Sequence, residues 1–213
     1  LTRSESLGPG GWIRTGSLAE QARGLIERFR VKAGGPQALA QSLAGGNLQK
    51  FIVGREIEAK PKLPYYMIGH SAGGQFLVRL AAFMPGEAVR IVAANPGSHL
   101  FPDRVQQFGY GFGGLPDELS NDDVIRRYLA APLTIYLGTA DNTPEHSFDA
   151  SPAGMVQGPH RLARGRACFA AAQTLAKERG WAFNWRTVET PGIGHEAAFM
   201  FAAQEAGDAL FGK

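Results

Sequence analysis

The sequence predicts an α/β fold, a mostly parallel sheet with helices on both faces, preceded by a helical N-terminal part. Three observations carry that expectation. From Tyr65 onward, short apolar runs alternate with longer runs of helical period. Such alternation marks parallel strands joined by the helices that cover them. Gly, Pro and Asn clusters close most of the apolar runs. Before Tyr65 the periodicity is helical only. The chain has 213 residues, enough for one domain with a sizeable core.

Residues 1–17 are rich in Gly, Ser and Pro and read as a loop. Helical spacing starts near Leu18 (Ala22, Leu25, Ile26, Phe29) and stops before Gly34-Gly35-Pro36. A second helical piece spans Ala38 to Ala44. Gly45-Gly46-Asn47 breaks it, and Asn47 can cap a third helix from Leu48 to about Ala59. Pro61 and Pro64 close that helix and set the chain in the extended conformation for a strand at Tyr65. The helix from Gln75 to Phe83 follows, then a strand from Ala88 to Ala94 ended by Asn95-Pro96-Gly97. Residues 98–120 form a long loop carrying Phe101, Phe108, Tyr110 and Phe112, which can line a pocket or simply pack. Next come a helix from Asp122 to Ala130, a strand from Pro132 to Gly138 and a loop over 142–159. A helix from His160 to Arg179 stops at Gly180. A strand from Ala182 to Val188, a turn at 191–194 and a helix from Glu196 to Leu210 complete the pattern.

Composition narrows the function. Hydrophobic residues make up 44% and charged residues 19%, which fits a folded domain and not a disordered chain. The net charge is +3 and the basic residues are scattered, so nothing favours a nucleic-acid partner. The tightest basic group, Arg161, Arg164 and Arg166, reads as a solvated helix face. Cys168 is the only cysteine, so no internal disulfide forms; mid-helix, it reads as a small buried hydrophobe. No apolar run has the length of a membrane span, and no signal peptide is visible. Oligomeric state is not legible.

The chemistry concentrates at Gly69-His70-Ser71-Ala72-Gly73, between the Tyr65 strand and the Gln75 helix. This is a Gly-x-Ser-x-Gly nucleophile elbow in the strand–turn–helix context the motif requires. A sharp turn leaves no room for side chains two residues either side, which accounts for Gly69 and Gly73. The turn lifts the Ser71 hydroxyl above the sheet edge, and the Ala72 N–H, at the helix start, faces any oxyanion formed there. Ser71, Asp141 and His195 each fall just past the end of a predicted strand, so all three converge on one edge of the sheet. A serine hydroxyl is protonated at neutral pH. His195 is expected to take its proton and pass it to the leaving group, while Asp141 holds the imidazole in the right tautomer. Other histidines fit less well: His70 lies inside the elbow and is expected to point elsewhere, His99 and His146 lie in loops, and His160 opens a helix. Asp103 and Asp149 do not directly follow a strand. An imidazole base stops working once protonated, so activity is expected to fall as pH drops below about 6–7.

Residues 62–213 resemble the α/β-hydrolase superfamily through Gly-His-Ser-Ala-Gly-Gly-Gln, through Ala-Ala-Asn-Pro-Gly after the next strand, and through Gln157-Gly158-Pro159-His160-Arg161-Leu162-Ala163-Arg164-Gly165-Arg166. The order Ser, Asp, His agrees. The resemblance implies a partial α/β-hydrolase fold. It also implies hydrolysis of a small-molecule carboxylic ester through an acyl-enzyme on Ser71, without a cofactor. The superfamily normally has three or four strands before the elbow and a second oxyanion donor among them. Here residues 1–61 read as helices, Gly8-Pro9-Gly10-Gly11 is the only Gly-rich candidate donor, and the Tyr65 strand is left with an open edge. Residues 12–60 are instead similar to the signature-motif region of sugar-importer ABC-transporter ATPases. The match rests on Ser42 to Lys50, continued by Phe51 to Ile57, and departs at Ala44, where a Ser is usual. That family binds nucleotide phosphate there. No Gly-x-x-x-x-Gly-Lys-Ser/Thr loop accompanies it. The domain expectation is therefore a transporter-like helical segment, 1–61, and a catalytic domain, 62–213. The alternatives are a non-catalytic hydrolase-fold protein and a fragment of a transporter ATP-binding subunit.

Overall fold

The computed structural model describes residues 15–38, 51, 52, 54, 64–84, 86–144 and 148–212. The chain divides into two units, Leu1–Leu63 and Pro64–Lys213. In the first, helix α1 spans Thr15–Arg28, and Leu25, Phe29 and Val31 are buried. The break at Gly45-Gly46-Asn47 and most of the two helical pieces around it lie outside the described residues, as does Gly8-Pro9-Gly10-Gly11.

The second unit alternates strand and helix. Its elements are β1 Tyr66–His70, α2 Ala72–Phe83, β2 Arg90–Ala94, α3 Asp117–Ser120, α4 Asp122–Leu129, β3 Leu133–Gly138, α5 Pro152–Gln157, α6 Arg161–Arg179, β4 Arg186–Thr190, α7 Ala197–Ala202 and α8 Glu205–Phe211. The four strands form one parallel sheet in sequence order. Among the described residues β1 stands at one edge, paired only with β2. All six residues of β3 are buried, the pattern of a parallel strand covered on both faces. Tyr136 belongs to a cluster with Val92, Met200, Ala206 and Ala209. Its neighbour Leu137 lies where a Cβ on Gly165 of α6 would fall. Successive strand residues point to opposite faces, so α7 and α8 cover one side of the sheet and α6 the other. The parallel register puts the carboxyl ends of all four strands on one edge.

Several boundaries depart from the sequence expectation for identifiable reasons. The last strand, expected from Ala182, begins at Arg186. Residues 184 and 185 are drawn off the sheet: the Asn184 N–H donates to the Leu129 carbonyl, and the Trp185 indole to that of Tyr128. The expected C-terminal helix is two helices, interrupted at Ala203, which is extended. The loop over 142–159 contains α5, capped by Ser151 with Pro152 in its first turn. In the 98–120 loop, Phe112 is fully buried against Phe83 and Tyr128, while Tyr110 donates its hydroxyl to Asp149. These two aromatics therefore secure the loop.

The expected solvated arginine face is overturned. Arg161 and Arg164 are among the most completely buried side chains of the chain, and Arg166 alone is exposed, paired with Glu189. Loops carry carbonyls that no strand or helix satisfies, and a guanidinium is the side chain with enough donors to gather them. Arg164 donates to the carbonyls of Gly97, Asp149 and Gly158 and stacks 3.9 Å over the Phe148 ring centroid. Cys168 is buried as expected, its thiol toward the Leu100 carbonyl.

His99 is also fully buried. Desolvation, followed by the positive charges of Arg79 and Arg164, pushes it down to about 3. An unfolded histidine takes up its proton below about 6.5, so acid favours the unfolded chain between that value and about 3. Stability should fall across this window by up to about 1.4 kcal/mol per pH unit for each such group. Thermal melts from pH 7 to 4 should show the fall, and His99→Phe should reduce its slope.

Candidate active site

Ser71 stands between β1 and α2 with φ 55° and ψ −117°, a conformation L-residues rarely adopt. Its N–H bonds the Ala94 carbonyl at the end of β2, and its own carbonyl receives the Gln75 N–H in the first turn of α2. The turn needs glycine on one side: a Cβ at Gly69 would sit 2.7 Å from the Gly73 backbone. The expectation for Gly73 does not hold, since a Cβ there meets nothing within 4 Å. The crowded position is Gly74, 2.8 Å from the Ala94 carbonyl oxygen and 3.2 Å from that of Gly69. Ala72 opens α2, where the first N–H groups have no intrahelical acceptor.

The structure brings Ser71, His195 and Asp141 into one hydrogen-bonded series. The Ser71 Oγ lies 2.9 Å from His195 Nε2, and His195 Nδ1 lies 2.8 Å from Asp141 Oδ2. Asp141 is 2% exposed. Its second oxygen, Oδ1, is 3.3 Å from Nη1 of Arg161. His70, expected to point away, packs against the series: its ring centroid is 4.5 Å from that of His195, with Phe201 edge-on at 6.2 Å. Burial, then the charge of His195, push His70 down to about 4, so its ring remains neutral near neutral pH. The remaining histidines do other things. His160 caps α6 by accepting the Ala163 N–H, and His99 is buried in the 98–120 loop. His146 lies outside the described residues. Asp149 accepts from Tyr110 and from the Ser151 N–H, and Asp103 from the N–H groups of Val105 and Gln106.

Asn95 is the site residue that sequence reasoning missed. It follows β2 with φ 42°, fully buried. Its Oδ1 accepts the Gly138 N–H at the end of β3, and its Nδ2 donates to the Gly194 carbonyl, next to His195. The signal was the Asn-Pro-Gly that ends β2: asparagine tolerates a left-handed backbone and carries both a donor and an acceptor. The His195 loop also rests directly on β3, because a Cβ on Gly138 would collide with the Ile193 carbonyl oxygen. The Ala140 N–H bonds that same oxygen, and the Leu162 N–H bonds the Asp141 carbonyl. A cleft of about 730 Å³ opens beside His195, walled by Ala140, Ile193, Glu196, Phe199 and Ala203. Among the described residues, no cluster of His, Cys, Asp and Glu could hold a metal ion, and no helix is long and apolar enough to cross a membrane.

A four-stranded parallel sheet flanked by helices is the α/β architecture of the α/β-hydrolases. Solved structures of that class match it. Poly(aspartic acid) hydrolase-1 from Sphingomonas sp. KT-1 superposes with a TM-score of 0.61 at 35% identity, over 70% of this chain and 57% of that one. A poly(3-hydroxybutyrate) depolymerase from Bordetella parapertussis gives 0.63 at 34%, over 76% of this chain and 55% of that one. The chain thus spans little more than half the length of these hydrolases. A 53-residue stretch, 25% of the chain, is 42% identical to a nucleoside import ATP-binding protein of Lactococcus lactis, of which it covers 10%. No family model matches the chain.

Asn95→Ala removes one buried and one partly buried hydrogen bond and leaves the Gly138 N–H and the Gly194 carbonyl without them. Denaturant unfolding should show a loss of about 2–3 kcal/mol.

Proposed function

We propose that residues 64–213 are the catalytic unit of a serine hydrolase that cleaves carboxylic esters through an acyl-enzyme on Ser71. The observation that carries the reading is the unbroken contact from the Ser71 hydroxyl through His195 to the buried Asp141 carboxylate. The Ser71 turn is then a nucleophile elbow, and the three side chains a catalytic triad. Similarity to two hydrolases at about one-third identity supports it.

In this mechanism His195 Nε2 accepts the Ser71 proton as Oγ bonds to the ester carbonyl carbon. Asp141 accepts the Nδ1–H and offsets the imidazolium charge. The oxyanion lies before the Ala72 N–H at the start of α2. When the tetrahedral carbon collapses, the ester C–O bond breaks and the departing alkoxide takes the proton from His195. A water then gives His195 a proton and attacks the acyl carbon, releasing the acid and regenerating the Ser71 hydroxyl. The neutral His70 ring against His195 limits its rotation without adding a competing charge.

Two measurements test the reading. A fluorophosphonate probe should label wild-type protein on Ser71, and Ser71→Ala should abolish both labelling and p-nitrophenyl ester turnover above background. A folded wild-type sample that takes no label contradicts the proposal. A nucleotide role for the N-terminal unit predicts thermal stabilisation by millimolar ATP. We expect no shift, because the sequence shows no phosphate loop to hold the nucleotide.

A further inference from the structure

Asp141 presents an electrostatic problem that the Ser–His–Asp series does not solve. It is 2% exposed. A lone carboxylate so deeply buried takes up a proton sooner than remain charged. Its partner His195 is neutral in the resting state if it is to serve as a base, so it offers a hydrogen bond but no opposite charge. A cation does stand there. Arg161 is 1% exposed and directs Nη1 to Asp141 Oδ1 at 3.3 Å, on the side of the carboxylate away from His195.

We propose that Arg161 is a positioning residue: its buried guanidinium holds Asp141 in the carboxylate form, with Oδ1 occupied and Oδ2 turned to His195 Nδ1. The proposal rests on the hydrolase reading above and assigns to that site a control over its working pH. Three features of the fold set the geometry. Arg161 is the first residue of α6, and His160 caps that helix through the Ala163 N–H. The Leu162 N–H binds the Asp141 carbonyl, fastening the Asp141 backbone to the same helix turn. The Arg161 guanidinium also faces the Phe148 ring at 5.6 Å. A planar guanidinium held at the start of α6 fixes the direction of its Nη1 contact to Oδ1 more narrowly than an ammonium on a flexible stem.

The charged and titratable groups around His195 fix the expected direction. Asp141 faces it from the loop after β3, with Arg161 behind from α6, and His70 faces it from β1. Glu196 follows it in the chain and folds back toward Gly194. When the Arg161 charge is removed, Asp141 is freer to bind a proton and freer to stabilise an imidazolium on His195. Both effects act in the same sense: the Asp141–His195 pair takes up its proton at higher pH. The acid limb of the activity profile therefore moves up.

The experiment compares Arg161→Gln, Arg161→Lys and Arg166→Gln, the last an exposed arginine of the same helix. With a p-nitrophenyl ester, the acid limb of kcat/KM should rise by about one pH unit in Arg161→Gln, stay at the wild-type position in Arg161→Lys with a lower rate, and be unchanged in Arg166→Gln. An unmoved limb in folded Arg161→Gln overturns the proposal. If Arg161→Gln does not fold, Arg161→Lys decides: a limb displaced upward despite the retained charge overturns it. The same displacement should appear in the pH titration of the His195 ring followed by carbon-13 NMR, which needs no turnover. A wild-type protein that takes no probe and turns over no ester, yet shows this ring shift in Arg161→Gln, loses the hydrolase reading and keeps the role of Arg161.

Discussion

A single buried amide joins two strand ends and the loop that follows a third strand. Asn95 closes β2, receives the N–H that ends β3 and holds the carbonyl preceding His195. Parallel strands bring their carboxyl ends to one edge but do not fix how the loops beyond them sit. Asn95 fixes one of those loops, and the absent side chain at Gly138 lets it lie flat on the strand. The position of the imidazole relative to Ser71 therefore depends on two residues outside the hydrogen-bonded series itself.

Charge is used in the same way one layer further out. Most arginines of soluble proteins lie in water, and burying one is costly unless its donors are filled. Arg164 fills its donors with loop carbonyls, and Arg161 places a donor on a carboxylate. Both lie in the first turns of α6, so one helix terminus organises the 97, 149 and 158 segments as well as Asp141. The sheet provides the platform, while α6 and Asn95 determine the arrangement above it.

The sequence shows the platform plainly and the arrangement poorly. Period and punctuation locate β1, β2, β3 and α6 to within about two residues, because those patterns are local. The convergence of Ser71, Asp141 and His195 is legible as well, since each follows a strand in a sheet whose strands all run one way. The failures share a cause. Arg161 and Arg164 look like a wet face because their acceptors lie on distant segments. Gly73 looks crowded, and Gly74 is, because the crowding atom is the Ala94 carbonyl twenty residues on. His70 looks remote from His195 because the turn of the last loop, which returns the ring over β1, is not encoded near either residue. The start of β4 shifts for the same reason, since Trp185 answers to a carbonyl on α4.

Cys168 gives the fold an internal clock. It is the sole thiol, wholly enclosed under the 98–120 loop, and burial raises it far above the range in which a thiolate forms at neutral pH. An alkylating reagent in water can reach it only when the 98–120 loop and α6 part or the unit opens altogether. The rate at which that sulfur is capped, as reagent is varied, thus times the parting of the 98–120 loop from the helix that carries Arg161, with no label introduced.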